Sequence, residues 1–250
     1  MIIGVIFCGF NAQPYLADAL CSWIEARKTQ LAGHTFKIAA VSVPFESFPA
    51  GREDDTLDVL RGTLARNEID HLIEGETPMK ETEARGAALR WLAEQGCDVS
   101  WMVDSDELFE TVQIEQLAAF VVRNPLITWF RVSYRNAVFT PDQYLVEPFQ
   151  PPRIHRLRFD GCTAIGLWDD NNVLYRYDGG QLMRDINLSH LVVPKNRAWV
   201  RHMTWISNER SRDKVRYQSA RAGWQCAFKW DTDKGLIWNP DLPIPETARD

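Results

Sequence analysis

Asp104 and Asp106 stand at i, i+2 in the stretch Val99-Ser100-Trp101-Met102-Val103-Asp104-Ser105-Asp106-Glu107, with a third acid directly after them. Two carboxylates at that spacing on a turn can reach one hard cation through oxygen atoms. Mg²⁺ or Mn²⁺ held this way keeps positions that substrate phosphates fill. The ion acts as a Lewis acid on a departing phosphate. The apolar run before the acids reads as a buried strand, and ligands of an α/β sheet sit outside the carboxyl ends of its strands. Spacing alone says little. Asp231-Thr232-Asp233 repeats it in a polar loop and reads as solvated surface. The structural alternative for the first copy is a helix N-terminus capped by Asp104 or Asp106.

A second candidate region runs from Lys195 to Lys234, where ten Lys and Arg face four Asp and Glu. Trp199, Trp205, Tyr217, Trp224, Phe228 and Trp230 are interleaved with them. Arg and Lys could clamp a diphosphate there while aromatics stack on a sugar or base. Nucleic-acid contact is a second reading, and a solvated helix face over packed aromatics is a third.

The elements that position the acids follow from periodicity. Ile2 to Cys8 is a continuous apolar run, as expected of a strand covered on both faces. Gly9-Phe10-Asn11 turns the chain, and Pro14 suits the first position of a helix. Leu16, Ala19, Leu20, Trp23 and Ile24 form one apolar helix face. Phe36 to Val43 predicts a second strand closed by Pro44. Asp54 and Asp55 can cap a helix carrying Leu57, Leu60 and Leu64, and Ile69 to Ile73 predicts a third strand. A helix with Ala84, Ala87, Ala88, Trp91 and Leu92 on one face follows, with Gly96 placed to end it. The strand at 99–103 then leads to the acids. Ile114, Leu117, Ala118 and Val121 mark a helix ending near Pro125. This β-α alternation predicts an α/β fold with a mostly parallel central sheet and helices on both faces.

The second half is more irregular. Ile127 to Phe139 is rich in aromatic and β-branched residues, short strands are expected at 153–159 and 173–177, and Ser207 can cap a polar helix running towards Trp224. One domain over 1–250 is the economical reading, with 1–125 as its nucleotide and metal half and an irregular α+β part, 126–250, as its acceptor half.

Composition bounds the function class. Hydrophobic residues at 45% and charged residues at 25% are ordinary for a globular chain. Residues 1–125 carry 10 Lys and Arg against 20 Asp and Glu, whereas 126–250 carry 18 against 14. The basic half could face an anionic substrate. A pI near 5.5 argues against general nucleic-acid affinity. The five cysteines are odd in number and none are at CxxC spacing, so neither a zinc knuckle nor a disulfide framework is indicated. A cytoplasmic location is the simplest expectation. Met1 to Phe10 lacks the basic residue and cleavage site of a signal peptide, and no apolar stretch approaches the ~20 residues of a transmembrane helix.

On three stretches the chain resembles a family 2-type glycosyltransferase of the GT-A fold: the opening Ile2-Ile3-Gly4-Val5-Ile6-Phe7-Cys8-Gly9-Phe10-Asn11, the helix segment Glu83-Ala84-Arg85-Gly86-Ala87-Ala88, and Trp101-Met102-Val103-Asp104-Ser105-Asp106-Glu107. The resemblance covers roughly residues 1–125. It implies a GT-A-like fold and a nucleotide-sugar donor, with a UDP-sugar favoured. Mn²⁺ or Mg²⁺ would sit at Asp104 and Asp106, with Asp104 also on the donor. A nucleotide pocket near Phe7, Gly9, Asn11, Glu46 and Arg85 is implied as well. Glu46 lies several residues later than the acid that usually ends the second strand. In some proteins that resemble this one a histidine from the late region completes the metal shell, and His202, between an expected strand and the Ser207 helix, has a better setting for it than His190. Asp169 and Asp170 are the nearest match to a catalytic acid pair, and a base there would deprotonate the acceptor hydroxyl. In a retaining enzyme no such base is needed. The acceptor is left open, from a glycan to a hydroxylated DNA base. Two alternatives remain: a haloacid dehalogenase-like phosphatase with Asp104 as nucleophile, and a non-catalytic nucleotide-sugar binding protein. Against the phosphatase, Leu108 stands where Thr or Val is usual, and the acids lie a hundred residues into the chain.

Overall fold

The computed structural model describes residues 1–13, 15–46, 51, 53–146, 150–157, 167–168, 174–178, 181–184, 190–206, 209–220, 226–243 and 247–249. Regular alternation fills the first half: β1 (Ile2–Cys8), α1 (Leu16–Thr29), β2 (Thr35–Ser42), α2 (Thr56–Ala65), β3 (His71–Glu74), α3 (Glu81–Glu94), β4 (Val99–Asp104), β5 (Glu107–Leu108) and α4 (Thr111–Arg123). The remainder is strand-rich: β6 (Trp129–Arg131), β7 (Ser133–Val146), β8 (Pro152–Arg156), β9 (Leu167–Trp168), β10 (Leu174–Asp178), β11 (Gln181–Arg184), β12 (His190–Val192), β13 (Trp199–Ile206), α5 (Glu209–Ala220), β14 (Phe228–Asp231), β15 (Gly235–Trp238) and β16 (Thr247–Arg249).

Seven strands form the main sheet in the order β12-β6-β8-β4-β1-β2-β3. β3, β2, β1 and β4 run parallel, and β8 is inserted antiparallel between β4 and β6. One face is covered by α1, α2 and α4 through Leu16, Trp23, Leu60, Ile114 and Leu117, packed on Val5, Phe7 and Trp101. The other is covered by α3 through Ala84, Ala88, Leu89 and Leu92, packed on Ile6, Val41 and Met102. This is the α/β layout that the glycosyltransferase resemblance implies. Strands from beyond residue 125 complete the main sheet, so the two halves of the chain interleave in space. A second sheet, β16-β7-β13-β5, carries the late strands that face the acidic turn. Among the described residues, no helix is long and apolar enough to cross a membrane.

Three details depart from the periodicity. β3 starts at His71 because the Asp70 carboxylate accepts from the Ile38 amide at 2.9 Å, taking the place of a strand partner. α3 is rotated towards Arg85 and Leu89, leaving Ala87 and Trp91 half-buried. That rotation points Arg85 into the sheet end. The helix expected from Ser207 to Trp224 is α5, and both of those residues, like Pro14, lie outside the described residues. Gly96 ends α3 as expected, at φ 76°, in the left-handed region that glycine enters without Cβ strain.

Candidate functional site

Parallel β1 and β4 end side by side, with Cys8 opposite Asp104. The turn after β4 is pinned at both ends by backbone bonds. Ser105 N donates to Cys8 O at 2.9 Å, and Met203 N donates to Asp106 O at 2.8 Å. β5 then pairs antiparallel with β13, setting Glu107 opposite His202. The acidic turn therefore joins the two sheets. It does not cap a helix, since α4 begins after Glu110.

Asp104 lies between two arginines. Arg85 Nη2 donates to its Oδ1 and Arg153 Nη2 to its Oδ2, each at 2.8 Å. Burial disfavours the Asp104 carboxylate, but Arg85 and Arg153 together hold its pKa below the usual range. It is also the most open of the three acids: its side chain is 27% exposed, against 6% for Asp106 and none for Glu107. Arg85 is anchored within α3 by Glu81 at 2.8 Å and lies over the Phe45 ring. Arg153 also reaches Glu107, and its Nε donates to the Tyr134 hydroxyl at 2.6 Å. Tyr134 in turn donates to Glu107. With both oxygens engaged by arginine, Asp104 is not presented as a nucleophile, and the phosphatase alternative finds no support.

Asp106 faces the second sheet. Its Oδ2 accepts from Thr204 Oγ1 at 2.6 Å and lies 3.6 Å from His202 Nε2. His202 Nδ1 is 2.5 Å from Asn136 Oδ1, and the imidazole stacks on Tyr134 at 4.8 Å between centroids. Its Nε2 lies 2.8 Å from Thr204 Oγ1, the hydroxyl that also donates to Asp106. Burial pushes His202 down to about 4, which keeps it neutral at ordinary pH.

A neutral imidazole nitrogen and a carboxylate oxygen 3.6 Å apart, too far for a hydrogen bond, are donors that suit a shared divalent cation. Among the described residues, no group of three or more His, Cys, Asp and Glu converges as a complete metal cage. A two-donor site is the pattern for an ion that completes its shell with water and substrate phosphate.

The other residues singled out in the sequence fall into distinct places. Phe7 is fully buried in the α1-side core. Gly9 closes β1, its amide donating to Val41 O at 2.9 Å. Asn11, at φ 49°, ties the turn to residues 51 and 53 through its side chain. Glu46 is exposed, one residue beyond the Phe45 that touches Arg85. His190 is exposed against Trp129 on the edge strand β12, three strands from β4. Asp169 and Asp170 lie outside the described residues. Asp231 and Asp233 form an exposed hairpin turn in which Asp231 Oδ1 accepts from the amides of Asp233 and Lys234. Arg153, Tyr134, Asn136 and Thr204 carry no sequence signal of their own.

No protein-family profile matches the chain, and a search of curated proteins finds no match. Among solved structures, S. aureus TarS is similar at TM-score 0.48 and 16% identity over 86% of this chain and 38% of that one. TarS 1–349 in complex with UDP-GlcNAc is similar at TM-score 0.49 and 15% identity, over 87% and 64%. Glucosyl-3-phosphoglycerate synthase from Mycobacterium tuberculosis, in complex with Mn²⁺, UDP and phosphoglyceric acid, is similar at TM-score 0.35 and 17% identity, over 53% and 43%. The chain spans 38% to 64% of the lengths of these structures. At such scores, the reading of the site stands on its own geometry.

Proposed function

We propose that this chain is a metal-dependent glycosyltransferase that moves a sugar from a nucleotide-sugar donor, with a UDP-sugar favoured, to an acceptor hydroxyl. The observation that carries this reading is the convergence of Asp106 Oδ2 and His202 Nε2 at 3.6 Å beside the carboxyl ends of β1 and β4. These two residues would hold Mn²⁺ or Mg²⁺, with Asp104 kept as the third proposed ligand beside them. When bound, the ion supplies Lewis-acid stabilisation of a departing nucleoside diphosphate. Asp104, kept ionised by Arg85 and Arg153, offers its carboxylate to donor hydroxyl groups. Gly9 and Asn11 shape the loop side of that pocket. Arg85 keeps Asp104 oriented while α3 keeps Arg85 fixed. Asp169 and Asp170 are retained as the proposed base for the acceptor hydroxyl, and the acceptor classes are a glycan or a hydroxylated DNA base.

Thermal unfolding with UDP or GDP, with and without Mn²⁺, tests the reading. A ligand at a hundredfold excess over its Kd stabilises by about 2.7 kcal/mol, so metal and nucleotide together should raise Tm where each alone does little. Asp106→Ala should lose that joint shift and the metal-dependent turnover of a nucleotide sugar while keeping its own cooperative melt. Full activity in EDTA, or in Asp106→Ala, would sink the proposal. Stabilisation without any turnover would favour the non-catalytic binding protein.

A further inference from the structure

The basic stretch from Lys195 to Lys234 is not uniform in space. Lys229 is exposed on β14 and paired with Asp241 at 2.8 Å, and Arg216 is exposed on α5. Lys214, half-buried on the same helix, reaches inward: its Nζ donates to Thr204 Oγ1 at 3.0 Å. Thr204 is 1% exposed, and the same oxygen lies 2.6 Å from Asp106 Oδ2 and 2.8 Å from His202 Nε2. The ammonium and both proposed metal donors are thereby gathered round one hydroxyl. Two anchors hold it there. Ser211, one turn earlier on the same helix face, reaches the carbonyl oxygens of Thr204 and Ile206 and fastens α5 to β13. The ammonium also lies 5.4 Å from the centroid of the Trp205 ring, an attraction to the ring face, and Trp205 is itself stacked on Phe228 at 4.5 Å.

We propose that Lys214 is a further catalytic residue, whose ammonium binds the diphosphate of the donor as it departs. The proposal rests on the reading of Asp106 and His202 as metal donors given above. A divalent cation at that pair and an ammonium beside it repel each other, and a diphosphate lying across both replaces repulsion with attraction. In transfer, the bond from the sugar's anomeric carbon to the β-phosphate oxygen breaks, and its electron pair stays on that oxygen. The acceptor oxygen bonds to the same carbon and gives its proton to the base proposed at Asp169 and Asp170. Negative charge therefore grows on the diphosphate, and Lys214 meets it with a charge-assisted hydrogen bond while keeping its own protons. Because α5 and Trp205 fix the stem in advance, little reorganisation is needed when that charge appears.

The test uses the full chain and reads binding. UDP is titrated by calorimetry at saturating Mn²⁺, and Mn²⁺ is titrated at saturating UDP; GDP takes the place of UDP if wild type prefers it. Lys214→Met keeps a stem of similar length over Trp205 without the charge, and Lys214→Gln serves if the methionine variant does not fold. Either should bind the nucleotide at least about tenfold more weakly, the weight of a hydrogen bond to a charged group, with Mn²⁺ affinity at saturating nucleotide unchanged. Lys28→Met removes a charge of the same kind from exposed α1, where Lys28 pairs with Glu68 at 3.1 Å, and should bind as wild type does. Wild-type nucleotide affinity in the Lys214 variants would overturn the proposal. So would an equal loss in Lys28→Met, which is an effect of net charge, or a parallel loss of Mn²⁺ affinity, which assigns Lys214 to the arrangement of the metal donors. If wild type binds neither UDP nor GDP with Mn²⁺, the glycosyltransferase reading itself falls and takes Lys214 with it. Nucleotide binding that both Lys214 variants retain removes only the role given to Lys214.

Discussion

Glu107 has no solvent exposure, and its carboxyl meets a phenol, a guanidinium and the Asp104 amide. Burial pushes its pKa from an ordinary 4.5 up to about 7, because desolvation outweighs the attraction of Arg153. Between pH 4.5 and 7 the folded chain therefore holds a proton that the unfolded chain has lost. Stability from this group is fully present below 4.5 and is lost as pH rises through about 7, with a slope of about 1.4 kcal/mol per pH unit inside the window. Glu107→Gln keeps an acceptor for Tyr134 and Arg153 but cannot titrate. Denaturant unfolding at several pH values should show that the variant loses this slope, and an unchanged slope would mean that Glu107 is ionised throughout. The same residue scale explains why three neighbouring acids differ in role. Asp104 has two arginines, Asp106 has a hydroxyl beside an imidazole, and Glu107 has a phenol.

At the scale of elements, α3 brings Arg85 to Asp104, and its seat on β1 depends on a missing side chain. A Cβ at Gly4 would stand 2.8 Å from Leu92 Cδ1 and 3.1 Å from its Cγ. Leu92 is itself fully buried and cannot swing aside cheaply. Gly4→Ala should therefore lift α3 from the sheet and cost about 1–3 kcal/mol, the range for overpacking a dense core. Combining it with Leu92→Ala should recover part of that loss, because the two residues share one contact and their effects do not add. Thermal melts of the single and double variants check this, and strict additivity would show that the clash is relieved elsewhere.

Across the whole molecule, the antiparallel insertion of β8 decides the centre of the sheet. It brings Arg153 to the acids and sets His155 opposite Ser100 and Trp129. His155 is 1% exposed, neither ring nitrogen has a hydrogen-bond partner, and burial pushes its pKa from 6.5 to about 3. Between pH 6.5 and 3 the unfolded chain binds a proton that the folded one refuses, so stability falls as pH drops through that window. The slope is about 1.4 kcal/mol per pH unit, opposite in sign to that of Glu107. His155→Leu should flatten the acid side of the stability profile, and an equally steep acid limb would assign the loss to other groups such as His202. By itself, the sequence determined the β-α alternation, the paired core faces and the position of Asp104 at the end of β4. Apolar periodicity is a local property, and it reports burial without any knowledge of neighbours. The same locality separated Asp104 and Asp106 from the identically spaced Asp231 and Asp233, since only the first pair follows a buried strand. What each acid touches was decided only by tertiary structure. Arg153 reaches Asp104 across 49 residues and Thr204 reaches Asp106 across 98. Those contacts depend on which late strand joins which edge and in what register, and a one-residue slip would turn each side chain to the opposite face.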